Sequence, residues 1–513
     1  MRLPHFIEAL RKEQRLALPA AFALGGLLVL AFAPFHLFPL AVILPLALLW
    51  LIDGQSPRVA AWRGFAFGFG LFGIGMHWLY ISLHVYGKAP VILAVFLMIC
   101  LVALMAAYYA GFAWLLNRYW PAAPGPAGVN WRRYLLAAPA LWVLLEYMRG
   151  WFLSGFPWFS LGYSQLDTWL AGFAPVGGVF MVSLFVMMLG GALLLCISSG
   201  LKFRAAAAAI MMAILSASYW LQAVQWTHPT GNAIKVALVQ GNIPQDKKWL
   251  PEYRQRTIDT YLDLTRDVLH DADLVIWPEA AIPLLYSQLD DTLFMHIEDE
   301  MLAPEQRLVT GVLVHDRERG VYYNSAVVIG GAERRFYHKR HLVPFGEYFP
   351  VPDSVREWLR LMNLPYSDFE AGEGDNRLEL WPGVSAAMLI CYEAVFGSEA
   401  MDAMPEAGFV INISNDGWFG ESIGPKQHFQ ITRMRAKEAA RPLVRVTNTG
   451  ISGLLAFDGG KLLSMPVSET AAAMASIEPR TGGSPYGSHG NLVVWATCLL
   501  LAFSMPKRKD ASA

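Results

Sequence analysis

Hydrophobic residues cluster in long runs almost without charge that fill the first 230 residues and recur once near the C-terminus. A helix needs about 20 apolar residues to cross the roughly 30 Å hydrocarbon core of a bilayer. Because one run follows another after short polar breaks, the pattern predicts a multi-span membrane protein rather than a cleaved signal peptide. About eight spans are expected, over residues 16–35, 37–52, 64–83, 89–116, 134–147, 168–199, 205–221 and 492–505.

Lys and Arg residues in the short loops lie almost entirely on one side of these expected spans. With a cytoplasmic N-terminus, that side holds Arg2, Arg11, Lys12, Arg15, Arg58, Arg63, Arg118, Arg132, Arg133, Lys202, Arg204, Lys507, Arg508 and Lys509. The opposite short loops hold Lys88 and Arg149. Since basic loops stay in the cytoplasm, the sequence predicts that both termini are cytoplasmic and that residues 231–488 are extracytoplasmic.

Residues 231–488 have the pattern of a soluble α/β domain, because charges return and the apolar runs shrink to strand length. Strands are expected at 234–240, 273–279, 307–314, 324–330, 385–393, 408–416 and 443–457, with helices over 251–270 and 427–441. The alternation favours a layered sheet-and-helix architecture. The predicted organisation is a bundle of seven spans over 1–230, a soluble domain over 231–488, and a final span with a basic tail over 489–513.

Composition agrees with a membrane protein and argues against one class of partner. Hydrophobic residues make up 55% of the 513 residues and charged residues 16%, against about 25% charged in soluble proteins. The formal net charge of −1 gives no reason to expect nucleic-acid binding.

Cys391 is the single cysteine of the expected soluble domain, since Cys100, Cys196 and Cys498 fall within expected spans. A lone cysteine outside the cytoplasm forms no disulfide within its domain. It is then either a small buried hydrophobic residue or a reactive thiol.

Acidic residues end three of the expected strands: Glu279, Glu393 and Asp416. Each could be an ordinary turn residue, but ligands of α/β sheets gather at the carboxyl ends of strands. The stretch "YHKRHLVPFGEYFP" (337–350) adds Lys339, eight residues before Glu347. "HKRH" alone would suit a solvated basic turn, but the apolar and aromatic residues after it favour a site.

A thiol nucleophile needs a base, because a free thiol is mostly protonated at neutral pH. It also needs a positive charge or hydrogen-bond donors where the attacked carbonyl becomes an oxyanion. His338 and His341 flank Lys339, so a Cys–His pair is open. The alternative set is Glu279 as base, Lys339 as the stabilising charge and Cys391 as nucleophile. We expect neither a metal ion nor another cofactor.

Three stretches, "VIWPEAAIP", "YHKRHLVPFGEYFP" and "LICYEAVFG", resemble the Glu–Lys–Cys signature of the nitrilase superfamily. The stretch "ISNDGWFGESIGPKQHFQITRMRAKEAARPLVRVTNTGIS" and the seven-plus-one order of spans extend the likeness to the full chain, which resembles the apolipoprotein N-acyltransferases. The resemblance implies an αββα sandwich on a membrane helix bundle. It also implies that Glu279 is the general base, Lys339 the oxyanion stabiliser and Cys391 the nucleophile.

The resemblance assigns roles to further residues. Glu347 would orient Lys339, Tyr392 and Glu393 would shape the acyl pocket and support the nucleophile, and Trp249 would lie on a mobile arm beside the site. The implied reaction moves an acyl chain from a phospholipid to Cys391 and then to the α-amino group of a diacylglyceryl-cysteine at the N-terminus of an apolipoprotein. The implied location is the bacterial inner membrane, with a periplasmic catalytic domain in a monomeric protein.

A lipid substrate predicts an apolar rim around the site. Candidate segments are 283–286, 358–366 and 418–419, the last including Trp418, although each could equally pack in the core. Residues 355–362 would form a helical face with Trp358, Leu359 and Met362, and with Arg356 and Arg360 near phosphates. In the bundle, the aromatic residues of 149–165 suit a membrane interface or a lipid entry, and we expect Glu146 to be interfacial rather than buried.

Two other functions remain open from the sequence. A membrane-tethered amidase would use the same three residues to hydrolyse small amides without an acceptor. A transporter or scaffold would use the soluble domain for binding alone, but a transporter should carry charged residues within its spans, and these runs carry few.

Overall fold

The computed structural model describes residues 12–122, 130–348, 369–404 and 406–505. The chain divides into two compact units. One contains Met1–Val224, Glu421–Gln430 and His489–Ala513, and the other contains Gln225–Gly420 and Ile431–Ser488. We call them the helical unit and the sandwich unit.

The longer helices are, in chain order, α1 (Gln14–Leu28), α2 (Leu40–Ile52), α3 (Pro57–Gly75), α4 (Val91–Tyr119), α5 (Ala138–Arg149), α6 (Ala174–Ser198), α7 (Leu201–Gln222), α8 (Arg254–Leu269), α9 (Gly424–Ala439) and α10 (Leu492–Ser504). All of them except α8 and α9 overlap the apolar runs that were expected to be membrane spans. The two helices expected in the soluble segment are α8 and α9, each within three residues of the expected bounds.

Helix length limits how many of these runs can cross a bilayer. Among the described residues, four helical stretches are long and apolar enough: Gln14–Ala31, Val91–Tyr119, Trp169–Ile197 and Leu201–Gln222. Pro57–Gly75 and Trp78–Tyr86 form a fifth if this pair, bent by 55°, counts as one span. Leu40–Ile52 and Leu492–Ser504 are apolar but shorter. The apolar helices therefore suggest a membrane protein, and the count of eight spans stays a prediction.

Glycine lets the first helices approach each other at backbone distance. A Cβ atom on Gly25 of α1 would lie 1.8 Å from the backbone oxygen of Phe67 in α3, and one on Gly64 would lie 2.2 Å from that of Tyr109 in α4. Small residues at such crossings are typical of helix packing in membranes, where the close contact itself supplies the attraction.

Glu146 contradicts the expectation of an interfacial position, because it is only 3% exposed within the helical unit. Its Oε1 accepts hydrogen bonds from Nε1 of Trp142 at 2.8 Å and from the backbone N–H of Leu161 at 2.9 Å. The segment after α5 folds back and supplies that second donor, a contact 15 residues away that helix periodicity does not reveal. In the same segment, Trp158 is buried whereas Trp151 is exposed.

The sandwich unit contains fourteen strands among its described residues: β1 (Thr227–Pro229), β2 (Ile234–Gln240), β3 (Leu274–Ile276), β4 (Arg307–Asp316), β5 (Val321–Ile329), β6 (Arg335–His338), β7 (Arg377–Trp381), β8 (Val384–Ile390), β9 (Phe409–Ser414), β10 (Leu443–Thr447), β11 (Gly453–Leu455), β12 (Lys461–Ser464), β13 (Ala471–Ile477) and β14 (Arg480–Gly482). One six-stranded sheet has the order β13-β2-β3-β4-β5-β6, the other has the order β12-β11-β10-β9-β8-β7, and β1 pairs with β14.

The two large sheets pack face to face around an apolar core. That core joins Val236, Leu238 and Ile276 of one sheet to Met388 and Ile411 of the other. A second apolar cluster, which includes Tyr261 and Leu262 of α8, covers the outer face of the first sheet. On the second sheet, Thr432 of α9 accepts a hydrogen bond from Arg445 of β10 at 3.1 Å. The layers are therefore helix, sheet, sheet and helix, as expected.

The expected strand over 443–457 is wrong in one respect, because it is two strands. β10 and β11 pair antiparallel, with Leu443 opposite Leu455. The intervening "NTGIS" makes the turn, in which the hydroxyl of Ser452 accepts the backbone N–H of Thr447 at 2.9 Å. The expected strand over 273–279 is shorter than predicted: β3 ends at Ile276, two residues before Pro278, and Glu279 lies beyond it.

Candidate active site

The residues singled out in the sequence lie just beyond the carboxyl ends of strands from both large sheets. Glu279 follows β3, Lys339 follows β6, Cys391 follows β8, and Asp416 follows β9. β3 runs parallel to β4, and β8 runs parallel to β9. The carboxyl ends therefore meet at common edges, and side chains distant in sequence converge there.

Lys339 lies between two carboxylates at this edge. Its Nζ is 2.9 Å from Oε1 of Glu347 and 3.5 Å from Oε1 of Glu279. Burial alone would lower the pKa of Lys339, but the carboxylates of Glu347 and Glu279 outweigh it and hold the pKa above its ordinary value. Lys339 is therefore a fixed positive charge at neutral pH.

Asn324 connects the same two carboxylates. Its Nδ2 donates to Oε1 of Glu279 and to Oε1 of Glu347, both at 2.8 Å. Its backbone oxygen accepts the N–H of Lys339 at 2.8 Å, which continues the pairing of β5 with β6. Among the described residues, Oδ1 of Asn324 is buried without a hydrogen-bond partner. The pairing of β5 with β6 therefore positions the Asn324 amide to donate to both Glu279 and Glu347.

The second oxygen of Glu279 is held by backbone. Oε2 accepts the N–H of Asn415, just after β9, at 2.9 Å. The chain at Glu279 also passes close over β4, since a Cβ on Gly311 would lie 2.6 Å from the Cα of Glu279. Only glycine leaves room for this approach. Both contacts restrict the carboxylate to one orientation.

Cys391 begins the helical turn Cys391–Val395 with a left-handed backbone, at φ +52°. Such a φ is uncommon for a residue other than glycine and is found where surrounding structure imposes it. Burial of the thiol raises its pKa to about 12, the Glu279 carboxylate adds to the rise, and the Lys339 ammonium opposes it. At neutral pH the resting group is therefore a thiol, and Glu279, Lys339 and Asp416 are the charges that act on it most strongly.

Glu393 ties the turn of Cys391 to the segment that carries Lys339. Its Oε2 accepts the backbone N–H of Ile390 at 2.7 Å. Its Oε1 accepts the hydroxyl of Tyr337 at 2.6 Å and the backbone N–H of Arg340 at 2.7 Å. Burial raises the pKa of Glu393, while these donors hold it down. One side chain therefore fixes the spacing between two strand ends.

Asp416 is buried as half of an ion pair, and its charge acts to raise the pKa of Cys391. Arg445 donates to Oδ2 of Asp416 at 2.8 Å, and neither side chain is exposed. The hydroxyl of Ser414 donates to Oδ1 at 2.9 Å. Because its charge is neutralised by Arg445, Asp416 acts as part of the support of the site rather than as a second base.

Lys248 is a second buried lysine at the site. It is 1% exposed, and its Nζ donates to the backbone oxygen of Glu279 at 3.2 Å. Burial lowers its pKa to about 8, while the charges of Glu279 and Cys391 act to raise it. The stretch "DKKW" gives no periodic or strand-end signal, so the sequence did not indicate this residue.

The two histidines beside Lys339 have other partners, which weakens the Cys–His alternative. His338 Nδ1 lies 2.7 Å from the hydroxyl of Ser325. The Nδ1 of His341 lies 3.0 Å from Oε1 of Glu399, and its ring stacks on Phe396.

The remaining sequence candidates are three aromatic residues and the segments expected to form an apolar rim. Trp249 is half-buried in the turn that carries Lys248. Tyr392 packs edge to face on Phe396 at 5.1 Å. Trp418 is 44% exposed in the turn Asp416–Phe419, and residues 283–286 are half-buried. The expected rim helix over 355–362 and the segment 358–366 lie outside the described residues.

Asn324, Asn415 and Tyr337 are contacts that sequence reasoning did not include. Asn324 lies next to Ser325 in the otherwise apolar and aromatic strand β5, and a buried polar pair in such a strand is the one signal that could have marked it. Tyr337 lies in β6 (RFYH), which gives no such signal. Within the described residues, no group of three or more His, Cys, Asp or Glu is placed to hold a metal ion.

Comparison with known proteins matches both parts of the chain. A family model described as the apolipoprotein N-acyltransferase N-terminal domain matches residues 24–192, and a carbon-nitrogen hydrolase model matches residues 235–480. The second match agrees with the nitrilase-like sandwich, which confirms that part of the predicted fold.

Several relatives that align with nearly the whole chain have the name apolipoprotein N-acyltransferase. Apolipoprotein N-acyltransferase of Vibrio parahaemolyticus is 39% identical over 508 residues, covering 96% of this chain and 98% of the relative. The enzyme of that name from Methylococcus capsulatus is 40% identical over 480 residues, covering 92% of each chain. That of Vibrio cholerae is 38% identical over 496 residues, covering 94% of this chain and 96% of the relative.

Proposed function

This chain belongs to the apolipoprotein N-acyltransferase family, and from that membership we propose that it transfers an acyl chain from a phospholipid to the N-terminus of apolipoproteins through a thioester on Cys391. The acceptor is the α-amino group of a diacylglyceryl-cysteine. Transfer in two steps through one nucleophile is a ping-pong reaction, in which the first product leaves before the acceptor reacts.

In the first step, the sulfur of Cys391 attacks the ester carbonyl carbon of the phospholipid. The S–C bond forms, the C–O bond to glycerol breaks, and a lysophospholipid leaves. Glu279 takes the thiol proton and delivers it to the departing alkoxide. Lys339 faces the oxygen that gains negative charge in the tetrahedral intermediate.

In the second step, the α-amino nitrogen attacks the thioester carbonyl. The N–C bond forms, the C–S bond breaks, and the product is an amide. Glu279 accepts a proton from the amine and returns it to the sulfur, so the enzyme regains its starting state. Glu347 keeps Lys339 charged and oriented in both steps, and Glu393 keeps the turn of Cys391 in place.

One observation carries this assignment: Glu279 and Lys339 are in contact, and both act electrostatically on the single thiol beside them. A thiol with a pKa raised to about 12 needs a base at the moment of attack. The electrostatic effect of Glu279 on this thiol supports Glu279 as that base. The apolar helices supply the reason for a lipid donor, since a soluble amide substrate needs no membrane protein.

The orientation proposed from the basic loops completes the assignment. Cytoplasmic termini and a periplasmic sandwich unit in the bacterial inner membrane would place Cys391 on the side where exported lipoproteins carry their N-termini. Tyr392, next to Cys391 in the chain, would shape the acyl pocket, and Trp249 and Trp418 would contact the substrate.

Intact-protein mass spectrometry after incubation with phospholipid vesicles tests the proposal directly. The purified protein should gain the mass of one acyl chain, neutral hydroxylamine should remove it, and a diacylglyceryl-cysteine peptide should take it up. Cys391→Ser should gain no such mass, whereas the matched control Cys196→Ser should behave as the unchanged protein.

Three outcomes would contradict the proposal. An adduct that resists hydroxylamine is not a thioester, and an adduct on Cys391→Ser has another site. Steady release of product from a small amide, unaffected by the peptide acceptor, would identify a hydrolase instead.

A further inference from the structure

Lys248 is buried, and among the described residues it forms no ion pair at contact distance. Among the described residues its Nζ bonds to a neutral backbone oxygen, that of Glu279, at 3.2 Å, and no carboxylate lies within salt-bridge distance of it. Removing an ammonium group from water costs several kcal/mol unless another charge compensates. The position of Lys248 therefore points to a charge that it balances, rather than to a contribution to stability.

A count of the charges around Cys391 shows which negative charge the Lys248 ammonium would balance. The two carboxylates in contact with Lys339, Glu279 and Glu347, carry two negative charges, and Lys339 with Lys248 carries two positive charges. The carboxyl group of Glu393 is left out of this count because Tyr337 and backbone N–H groups hold it and burial raises its pKa. When the proton of Cys391 moves to Glu279, the thiolate and Glu347 still face two ammonium groups. Without Lys248, the buried site would hold a net negative charge in both states. Asp416 does not change this count because Arg445 neutralises it.

The electrostatics agree with this count. The thiolate of Cys391 and the carboxylate of Glu279 both act to raise the pKa of Lys248. Interaction between two charges is mutual, so the Lys248 ammonium also favours the thiolate of Cys391, although Lys339 is the stronger positive charge there. Burial brings the pKa of Lys248 to about 8, so the residue is mainly charged at pH 7 and becomes neutral at slightly higher pH.

We propose that Lys248 is a positioning residue that holds the backbone of Glu279 and supplies the positive charge that balances the site when Cys391 ionises. This rests on the proposed function in taking Cys391 as the nucleophile, but not on the identity of the acyl donor. The charged groups facing Lys248 are Glu279 after β3 and Cys391 after β8. In its own turn, Asp246 is exposed and Lys247 lies over the ring of Tyr253.

Alkylation of Cys391 by iodoacetamide, followed by peptide mass spectrometry from pH 6.5 to 9.5, tests the proposal. Since one nearby charge shifts a pKa by about one unit or more, Lys248→Met should be alkylated about tenfold more slowly than the unchanged protein at pH 7. The difference should close above about pH 9, where Lys248 has lost its charge. Lys248→Arg keeps the charge and should stay within about threefold.

Lys247→Met is the matched control, because it removes the adjacent charge that faces Tyr253 and should leave the rate unchanged. Equal rates for Lys248→Met and the unchanged protein at pH 7 would overturn the proposal. So would a deficit of the same size at pH 9.5, which a misfolded site would give, or a Lys248→Arg variant as slow as Lys248→Met.

Thioester formation from phospholipid, measured on the same preparations, separates the two hypotheses. If the unchanged protein forms no thioester, the proposed function fails, while the alkylation rates still decide the role of Lys248. If the thioester forms and the alkylation rates do not depend on Lys248, the inference about Lys248 fails alone.

Discussion

Lys339 Nζ lies 2.9 Å from Oε1 of Glu347, with both side chains shielded from solvent. The other oxygen of Glu347 accepts the backbone N–H of Val343 at 2.8 Å. Glu347 is therefore held by the loop that follows Lys339, and it in turn holds the lysine. The pair explains how a flexible ammonium group keeps a fixed direction toward Cys391.

Glu347→Gln should reduce thioester formation about 100-fold. The amide nitrogen accepts no hydrogen bond, so it must face either Val343 N–H or the donors of Lys339 and Asn324. Lys339 then loses its fixed direction and one of the charges that raise its pKa. The rate of acyl-enzyme formation in single-turnover mass spectrometry measures this. Glu370→Gln, an exposed glutamate beyond the same loop, is the control and should keep full rate.

Lys339 and Lys248 should affect stability in opposite directions. The carboxylates raise the folded-state pKa of Lys339, so its stabilisation is fully present at pH 7 and is lost only as the pH rises through that pKa. Lys339→Met leaves buried carboxylates unpaired and should destabilise the protein by about 3–5 kcal/mol.

Burial of Lys248 has the opposite effect on how the stability of the folded protein depends on pH. Its folded-state pKa of about 8 lies below the ordinary 10.5, so the unfolded chain binds more protons between these values and stability rises with pH in that window. Lys248→Met removes the cost of burying the charge and loses one hydrogen bond of about 1 kcal/mol. It should unfold at the same or a higher temperature at pH 7. Thermal unfolding in detergent at pH 7 and 9 measures both variants, and a large loss of stability in Lys248→Met would contradict this account.

Local patterns predict some parts of this protein and not others, for physical reasons. Glu279 and Cys391 each follow an apolar strand, and the end of such a strand is visible in a single stretch of sequence. Lys339 follows the polar strand β6 (RFYH), which the sequence pattern does not predict, and only the apolar and aromatic residues after it indicate a site there. Asn324 is different, because its contact with both acids depends on the pairing of β5 with β6. Lys248 is buried against the backbone of Glu279, 31 residues further along the chain. Glu146 is buried by a later segment that folds back over its helix. A contact that depends on strand pairing, or on a later segment folding back, cannot be recognised in a single stretch of sequence.

Glu393→Gln should lower both stability and activity. Glu393 accepts hydrogen bonds from Ile390, Tyr337 and Arg340. In the glutamine variant the NH₂ group would face one of these donors, and that hydrogen bond would be lost. The expected loss is about 1–3 kcal/mol in the free energy of unfolding. Tyr337→Phe removes a single donor and should cost about 1 kcal/mol. Denaturant unfolding gives both values. Equal stability of Glu393→Gln and the unchanged protein would mean that the turn of Cys391 is held by other groups.

Glu279 should have opposite effects on the reactivity of the thiol and on acyl transfer. Its carboxylate raises the pKa of Cys391, so Glu279→Gln should increase the thiolate fraction and speed alkylation by about tenfold at pH 8. The same variant lacks the base that carries protons in both steps, so thioester formation should fall by about 100-fold or more.

In the unchanged protein, alkylation of Cys391 should still be rising at pH 10, because its pKa is about 12, whereas an unfolded thiol levels off above about pH 9. Alkylation of native and urea-unfolded protein across this pH range provides the comparison. If Glu279→Gln slowed alkylation and transfer alike, Glu279 would be maintaining the structure of the site, and the general base would have to be another group. A gain in alkylation together with a loss of transfer separates a proton carrier from a structural residue.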